Sequence, residues 1–192
     1  MKILLIGAGG HARNIIEMLS AAGHELVGYV DPNPCAWIEV QRWERESDTD
    51  ALPADVGIVL GIGGVTPDEL RKRGALLRRY LDRGRAAPPI VHPQAVVSRT
   101  ASLGQGCEIM AGVVLQAACT IGEGAIVNAL AFIEHDAIVG TGTHIAPGAT
   151  VLGAVKVGAF AMIGAGAVVL PGASVPEGML VRAATRYPAK PA

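Results

Sequence analysis

Two histidines in the C-terminal half of the chain carry the side chains best suited to proton transfer. His135 is followed directly by Asp136, and His144 comes a short distance later. A carboxylate beside an imidazole can orient the ring and stabilise its charged form, which makes the ring a stronger base. The alternative is that both histidines are ordinary surface residues and that Asp136 is a solvated acid at a corner.

A glycine-rich turn near the N-terminus is a second candidate site. Gly7, Gly9 and Ala12 have the spacing of a dinucleotide-binding fingerprint, and Asp31 stands at the end of the second expected strand. The N-terminal half offers only three evident strands, about half of those in a full dinucleotide-binding fold. The match alone is therefore weak, and Gly63 fits an ordinary loop between a strand and a helix as well.

The three cysteines argue against several other chemistries. Cys35, Cys107 and Cys119 are odd in number and form no Cys-x-x-Cys pair, which argues against disulfides and structural zinc. Cys107 and Cys119 fall at inward small-residue positions of a repeat, where thiols act as fillers. No Ser-His-Asp or Cys-His arrangement is apparent, so we expect no nucleophilic side chain of that kind. We also expect no bound metal.

A repeat of six residues must position the two histidines. Every sixth residue from 97 to 181 is Leu, Ile or Val, and six residues is not a helical period. Three hexapeptides, each a short strand and a corner, close one triangular coil of about 18 residues, which predicts a left-handed parallel β-helix. The aliphatic positions are Val97, Leu103, Ile109, Leu115, Ile121, Val127, Ile133, Val139, Ile145, Val151, Val157, Ile163, Val169, Val175 and Val181.

The N-terminal half has the pattern of a small α/β unit. Strands are expected over 2–6, 26–30 and 56–60, and helices over 11–22 and 67–83. The stretch 33–54 is polar and broken by prolines, so we expect it to be irregular. Pro88-Pro89 is a plausible boundary. The prediction is a Rossmann-like α/β domain over 1–89 and a β-helix domain over 90–192.

The outward residues of the β-helix sort into three faces, because positions one coil apart stack in columns. The first face shows Val96, Val114, Phe132, Thr150 and Val168, the second Ser102, Thr120, Ile138, Lys156 and Ser174, and the third Glu108, Ile126, His144, Met162 and Leu180. Long apolar stripes are rare on monomers, so we expect the first and third faces to contact neighbouring copies. Two different faces in contact close a ring, here a homotrimer, and could bring His135 of one copy to His144 of another.

The composition excludes some partners. Hydrophobic residues make up 51% of the chain and charged residues 17%, with a net charge of −1. This balance supplies a core, and it gives no electrostatic reason to bind nucleic acid or an anionic membrane. No spanning segment or signal peptide is evident, so we expect a cytoplasmic protein.

Several segments together resemble the bacterial nucleotide-sugar acetyltransferases. They are the hexapeptide register, Phe132-Ile133-Glu134-His135-Asp136, His144-Ile145-Ala146-Pro147-Gly148 and the opening Gly7-Ala8-Gly9-Gly10-His11. That group includes N-acetyltransferases of nucleotide-linked 4-amino-4,6-dideoxy sugars and the related sialic acid O-acetyltransferases. The resemblance covers essentially the whole chain, including a tail that ends in Tyr187-Pro188-Ala189-Lys190.

The resemblance implies a set of site residues. His135 would be the general base for the sugar amine, tuned by Asp136, and His144 would contact acetyl-CoA near its thioester. Main-chain groups near Ala165 and Ala183 would bind the pantetheine arm. The nucleotide-sugar would meet the helix N-terminus and a pocket beside it, formed by Gly9, Gly10, His11, Asp31, Pro32 and Gly63.

Some assignments stay open at this level. Arg182, Arg186 or Lys190 could meet the CoA phosphates, or could be solubilising charge. The leading hypothesis is N-acetylation of a nucleotide-linked amino sugar, and the main alternative is O-acetylation on the same architecture. A metal-dependent hydratase would need three histidine ligands, and here only His92 precedes the two histidines of the repeat. A dinucleotide-binding regulator is the remaining alternative.

Overall fold

The computed structural model describes residues 1–188, which form a parallel α/β sheet followed by a triangular column. The sheet has the order β3-β2-β1-β4, with every pair parallel. Its elements are β1 (Lys2–Ile6), α1 (Gly10–Ala21), β2 (Glu25–Val30), β3 (Gln41–Trp43), a 3₁₀ helix (Glu46–Thr49), β4 (Gly57–Leu60) and α2 (Pro67–Asp82). No helix among these residues is long and apolar enough to cross a membrane.

The two helices begin in different ways. Thr66 and Glu69 form a capping box at the start of α2, where each side chain accepts a hydrogen bond from the other residue's backbone N–H, and Pro67 occupies the first turn. Helix α1 has Gly9 as its N-cap and no side-chain cap. The first N–H groups of α1 are therefore left for solvent or a ligand.

The expected strands and helices of the N-terminal half are confirmed to within a residue or so at each end. The expectation for 33–54 was wrong in part, because this stretch contains β3 and the 3₁₀ helix. Strand β3 pairs with β2, and the ring of Trp43 lies against Gly28, where no side chain obstructs it. A strand of only three residues is too short to show a periodic pattern, so β3 could not be predicted from the sequence.

The column is the expected left-handed β-helix, and it extends beyond the repeat 97–181 at both ends. Each of its three faces is one parallel sheet. The first contains β6 (Val96–Val97), β9 (Val114–Leu115), β12 (Phe132–Ile133), β15 (Thr150–Val151), β18 (Val168–Val169) and β21 (Arg186–Tyr187). The second contains β7 (Ser102–Leu103), β10 (Thr120–Ile121), β13 (Ile138–Val139), β16 (Lys156–Val157) and β19 (Ser174–Val175). The third contains β5 (Ile90–Val91), β8 (Glu108–Ile109), β11 (Ile126–Val127), β14 (His144–Ile145), β17 (Met162–Ile163) and β20 (Leu180–Val181).

The predicted aliphatic positions fill the column. From Ile109 to Val181 each of them is buried, and Val97 and Leu103 are partly buried near the first coil. Cys107 and Cys119 are fully buried among them, as expected for fillers. Interlocking aliphatic layers fix the register of every coil, and so they fix which residues reach each corner.

The third face is not a free surface for another copy, and this part of the docking expectation was wrong. Within one chain, Glu108 and Ile126 are fully buried, and His144 and Met162 are nearly so. Ile126 packs in one cluster with Ile15 and Met18 of α1, and Met162 packs with Leu70 of α2. The chain's own α/β unit covers this face from Glu108 to Met162, which the repeat pattern could not reveal, whereas Leu180 at the end of the face is 52% exposed.

The first face remains open to solvent. Val96 is 64% exposed and Arg186 at the other end of the face is exposed as well, and the four outward residues between them are half-buried. Leu130, at the corner between the third and first faces, is 73% exposed. Contact between this apolar surface and a neighbouring copy therefore stays a prediction.

Candidate active site

His135 lies at an exposed corner between β12 and β13, held by the coils on either side. The backbone N–H of Asp136 donates to Ala117 O at 3.1 Å, and that of Ala154 donates to His135 O at 3.0 Å. Asp136 has a φ of 58°, a left-handed conformation that Asp tolerates better than most residues. The corner therefore presents the two side chains next to each other in a fixed geometry.

The Asp136 carboxylate accepts a hydrogen bond from the imidazole of His135. His135 Nδ1 lies 2.8 Å from Asp136 Oδ2. This hydrogen bond, helped by the negative charges of Glu134 and Asp136, raises the pKa of His135. Because Nδ1 carries the donated proton, Nε2 is left to accept one. Gly153 of the next coil leaves room for the ring, since a Cβ there would lie 3.0 Å from Nε2.

His144 lies in a very different environment, on the third face under the α/β unit. Its Nδ1 is 2.7 Å from Gly64 O, and its Nε2 is 3.1 Å from Asn128 Nδ2. A carbonyl can only accept, so Nδ1 is protonated and Nε2 accepts from the Asn128 amide. Burial lowers the pKa of His144. The ring is therefore neutral, with both nitrogens bonded inside the chain.

His11, Gly63 and the buried Glu108 meet near His144. Glu108 Oε2 lies 2.7 Å from His11 Nε2, and Glu108 Oε1 lies 2.5 Å from Arg73 Nη2. Burial would raise the pKa of Glu108, but Arg73 and His11 outweigh it and hold that pKa below its usual value. The part of Glu108 and Arg73 in this cluster was not predicted from the sequence. The one available signal was an acid in the otherwise apolar third-face column, which points to a buried partner.

A cleft of about 630 Å³ opens at the carboxyl ends of β1 and β2. Asp31 and Pro32 line it, whereas Gly9 and Gly10 lie exposed at the nearby start of α1. The Asp31 carboxylate accepts hydrogen bonds at 2.9 Å from the backbone N–H of Ala8 and of Asn33. Asp31 therefore ties together the two turns that follow these strands. Ligands of open α/β sheets bind at this edge.

A second cleft, of about 440 Å³, adjoins the first and shares Ile62 and Arg79 with it. Gly63 and Lys72 line this part. Together the two clefts form a groove of mixed charge, lined by five basic side chains (Arg45, Lys72, Arg73, Arg79 and Arg83) and four acidic ones (Asp31, Glu44, Glu46 and Glu69). Lys72 and the arginines are the groups in this groove that can contact phosphates, although Arg79 also pairs with Glu46 and Arg73 with Glu108, each at 2.5 Å.

The corners proposed for the pantetheine arm stack directly on one another. Ala165 and Ala183 are exposed and one coil apart, and the Ala184 N–H donates to Ala165 O at 2.8 Å. Arg182 and Arg186 are exposed near this corner. The third candidate for the CoA phosphates, Lys190, lies outside the described residues.

Cys107 and Cys119, the two cysteines of the column, are not suited to act as nucleophiles. Burial raises the pKa of Cys107 to about 12 and raises that of Cys119 as well. Neither thiol reaches the surface, and a thiol rather than a thiolate is a poor nucleophile. Within residues 1–188, no group of three or more His, Cys, Asp or Glu side chains is arranged to hold a metal ion.

Family models match both parts of the chain. Residues 2–72 match the PglD N-terminal domain, and residues 118–153 match the bacterial transferase hexapeptide, a model of six repeats. The fold and the site thus define a hexapeptide-repeat transferase that carries an N-terminal α/β domain.

Comparison with solved structures shows which kind of hexapeptide-repeat transferase this chain is similar to. A histidine-to-asparagine variant of perosamine N-acetyltransferase from Caulobacter crescentus, in complex with CoA and GDP-perosamine, is 30% identical, with 97% of this chain and 91% of that chain covered and a TM-score of 0.82. The acetyltransferase domain of PglB from Neisseria gonorrhoeae is 28% identical, with 96% and 90% covered and a TM-score of 0.86. The chain belongs to the hexapeptide-repeat sugar N-acetyltransferases, as the sequence resemblance predicted.

A match to a curated protein is shorter. The bifunctional protein GlmU of Pelobacter propionicus is 32% identical over 88 residues, which is 42% of this chain and 19% of that protein. The chain therefore spans only a small part of that relative. The enzyme class of a sugar acetyltransferase rests on the two structural neighbours, of which 91% and 90% are covered.

Proposed function

We propose that this protein transfers the acetyl group of acetyl-CoA to the amino group of a nucleotide-linked 4-amino-4,6-dideoxy sugar. The observation that carries the proposal is the His135–Asp136 pair at an exposed corner: Asp136 holds the proton on Nδ1, so Nε2, which lies 3.6 Å from Glu134 Oε2, is the nitrogen that can accept one. The neighbour bound to CoA and GDP-perosamine supports both substrate classes. A complex of the PglB domain with acetyl coenzyme A supports the donor.

The chemistry needs one base. The sugar nitrogen attacks the thioester carbonyl, the new C–N bond forms, and His135 Nε2 takes the proton that the nitrogen loses. The C–S bond then breaks, and the CoA sulfur leaves and recovers a proton from the imidazolium. A neutral amine is already a good nucleophile, so no acyl-enzyme is required.

The tetrahedral oxyanion needs a hydrogen-bond donor. His144 was expected near the thioester, but its Nδ1 proton is engaged by Gly64, and its neutral Nε2 can only accept. Asn128 is the better donor from this pair, because its amide nitrogen carries two protons and His144 uses one. Asn128 also lines a small cleft of about 150 Å³ beside α1. We therefore propose that Asn128 donates to the oxyanion and that His144 orients the Asn128 amide beside the thioester.

The nucleotide-sugar is proposed to bind the α/β unit. The N–H groups of the first turn of α1, at Gly9 and Gly10, have no side-chain cap and suit phosphate oxygens. His11 would add a ring nitrogen. Asp31 and Pro32 on one side and Gly63 on the other would hold the rest of the nucleotide in the groove formed by the two clefts.

Acetyl-CoA is proposed to lie along the column. The exposed backbone at Ala165 and Ala183 would meet the pantetheine arm, with Arg182 or Arg186 near the phosphates. The exposed apolar first face supports a homotrimer in which neighbouring copies share each active site, so that His135 of one copy serves Asn128 of the next. We further propose that the enzyme works in the cytoplasm.

A substrate screen tests this function. UDP-, dTDP- and GDP-linked 4-amino sugars are incubated with acetyl-CoA, and the release of free thiol is followed, with the matching 4-hydroxy sugars as controls. We expect turnover with at least one amino sugar and none with its hydroxyl analogue. Turnover only with the hydroxyl sugars would instead support the O-acetyltransferase alternative.

A further inference from the structure

A chain of buried charged groups joins the α/β unit to the column. Arg73 of α2 is 2% exposed, and Glu108 of β8 is fully buried. Glu108 binds Arg73 through one carboxylate oxygen and His11 through the other, at 2.5 and 2.7 Å. A buried charged cluster is a costly way to stabilise an interface, since apolar side chains would serve as well. Stabilising the interface alone therefore does not explain why these charged side chains are buried there.

The cluster also holds the loop that carries Gly63. Arg73 Nε donates to Ile62 O at 2.8 Å, and the same guanidinium donates to Gly124 O of the column. On the other side of Gly63, His144 donates to Gly64 O at 2.7 Å. Both flanks of the loop are thus tied to side chains that rest on the third face.

Glu108 also decides where the proton of His11 resides. Glu108 is ionised and can only accept, so His11 Nε2 must be the protonated nitrogen. In the neutral ring, His11 Nδ1 is then unprotonated and can accept a hydrogen bond from a ligand. The ring is packed against Gly63, where a Cβ would lie 3.6 Å from Nδ1.

We propose that Glu108 is a positioning residue for the nucleotide-sugar: it fixes the orientation and the tautomer of His11, while Arg73 holds Glu108 and the loop before Gly63. The proposal rests on the proposed function, in which His11 contacts the nucleotide-sugar. It explains why two charged side chains are buried at the interface between the two binding regions. It also predicts that replacing Glu108 weakens the binding of the nucleotide-sugar and leaves the KM for acetyl-CoA unchanged.

The test compares wild-type protein with Glu108→Gln. The glutamine oxygen can still accept from Arg73, and its amide group then donates to His11 Nε2, which moves the His11 proton to Nδ1. Nitrogen-15 NMR of the imidazoles reads this change directly, because the chain has 5 histidines and His11→Gln identifies the signal. We expect the tautomer to switch and the Kd of the nucleotide-sugar to rise roughly 10- to 100-fold, with an unchanged KM for acetyl-CoA.

Two variants separate positioning from loss of stability. Leu77→Ala weakens the same interface, where Leu77 lies against Gly106 and Gly124, without touching His11. It should leave the Kd of the nucleotide-sugar within about twofold. Glu108→Asp keeps the carboxylate and should restore the Nε2–H tautomer and much of the affinity. An equal loss of affinity in Leu77→Ala, or wild-type affinity in Glu108→Gln, would overturn the proposal.

The same experiments distinguish this proposal from the proposed function. A wild-type protein that binds no nucleotide-sugar in calorimetry would overturn the proposed function and the effect on affinity together. An unchanged His11 tautomer in Glu108→Gln, with nucleotide-sugar binding intact in the wild type, would overturn the positioning role alone.

Discussion

Replacing Glu108 with Gln should cost the protein a large part of its stability. The substitution keeps the shape of the side chain and removes one charge from a fully buried pair, leaving Arg73 buried with a neutral partner. Breaking a buried pair by removing one partner costs about 3–5 kcal/mol. Domains are stable by about 5–15 kcal/mol in total, so the variant should still fold, with a much reduced margin.

The loss should depend on pH in a defined direction. The pKa of Glu108 is lowered in the folded protein, so folding favours the carboxylate over the protonated acid. The advantage of the wild type over Glu108→Gln is therefore complete above the ordinary pKa of 4.5 and is lost as the pH falls through the lowered value. Between the ordinary pKa and the lowered one, the gap should shrink by about 1.4 kcal/mol for each pH unit, and below the lowered pKa it should stop changing.

Urea denaturation at fixed protein concentration measures this gap, with far-UV circular dichroism as the readout. With a slope of about 2–3 kcal/mol per molar urea, the midpoint at pH 7 should fall by about 1–2.5 M. Asp82→Asn is the control, because it breaks an exposed ion pair with Arg78 in the same domain and should cost less than about 1 kcal/mol. A gap below about 1 kcal/mol at pH 7, or one that does not shrink in acid, would refute the reasoning.

Three further predictions concern the column and its corner. Asp136→Asn removes the carboxylate whose hydrogen bond and charge raise the pKa of His135, so the acidic limb of kcat/KM should move to lower pH and the plateau should fall; a limb that stays in place would contradict the pairing. Ile133→Ala, inside the column, should cost about 2–5 kcal/mol in urea denaturation and Ile133→Val about 0.5–1.5, whereas equal costs would contradict a close-packed core. Mixed trimers of His135→Ala and Asn128→Ala chains, each inactive alone, should recover about a quarter of the wild-type activity if two copies share each site, and none if one chain holds the whole site.

The column was predictable from sequence because its rule is local and repeated. An aliphatic residue at every sixth position can point only inward, so the pattern predicts the fold and places His135 at a corner. The His135–Asp136 contact follows from adjacency alone. The strands β1 and β2 and both helices were likewise evident, because each buries a regular apolar face.

What the sequence did not reveal depends on contacts between distant segments. Glu108 meets Arg73 and His11 only after the α/β unit docks on the third face. The same docking buries His144, which the repeat placed on an outward surface, and gives its nitrogens partners in Gly64 and Asn128. Outward direction in a repeat is a local property, whereas solvent exposure depends on the whole chain.

The most direct test of the account is acetyl transfer by wild-type and His135→Ala proteins to the nucleotide-linked 4-amino sugar that the screen selects. The product is analysed by mass spectrometry and NMR, and CoA release gives the rate. We expect an N-acetylated sugar from the wild type and a kcat lower by about 10²- to 10⁴-fold in the variant, with a similar KM for acetyl-CoA. Transfer at the wild-type rate by His135→Ala, or a wild-type product acetylated on oxygen, would contradict it.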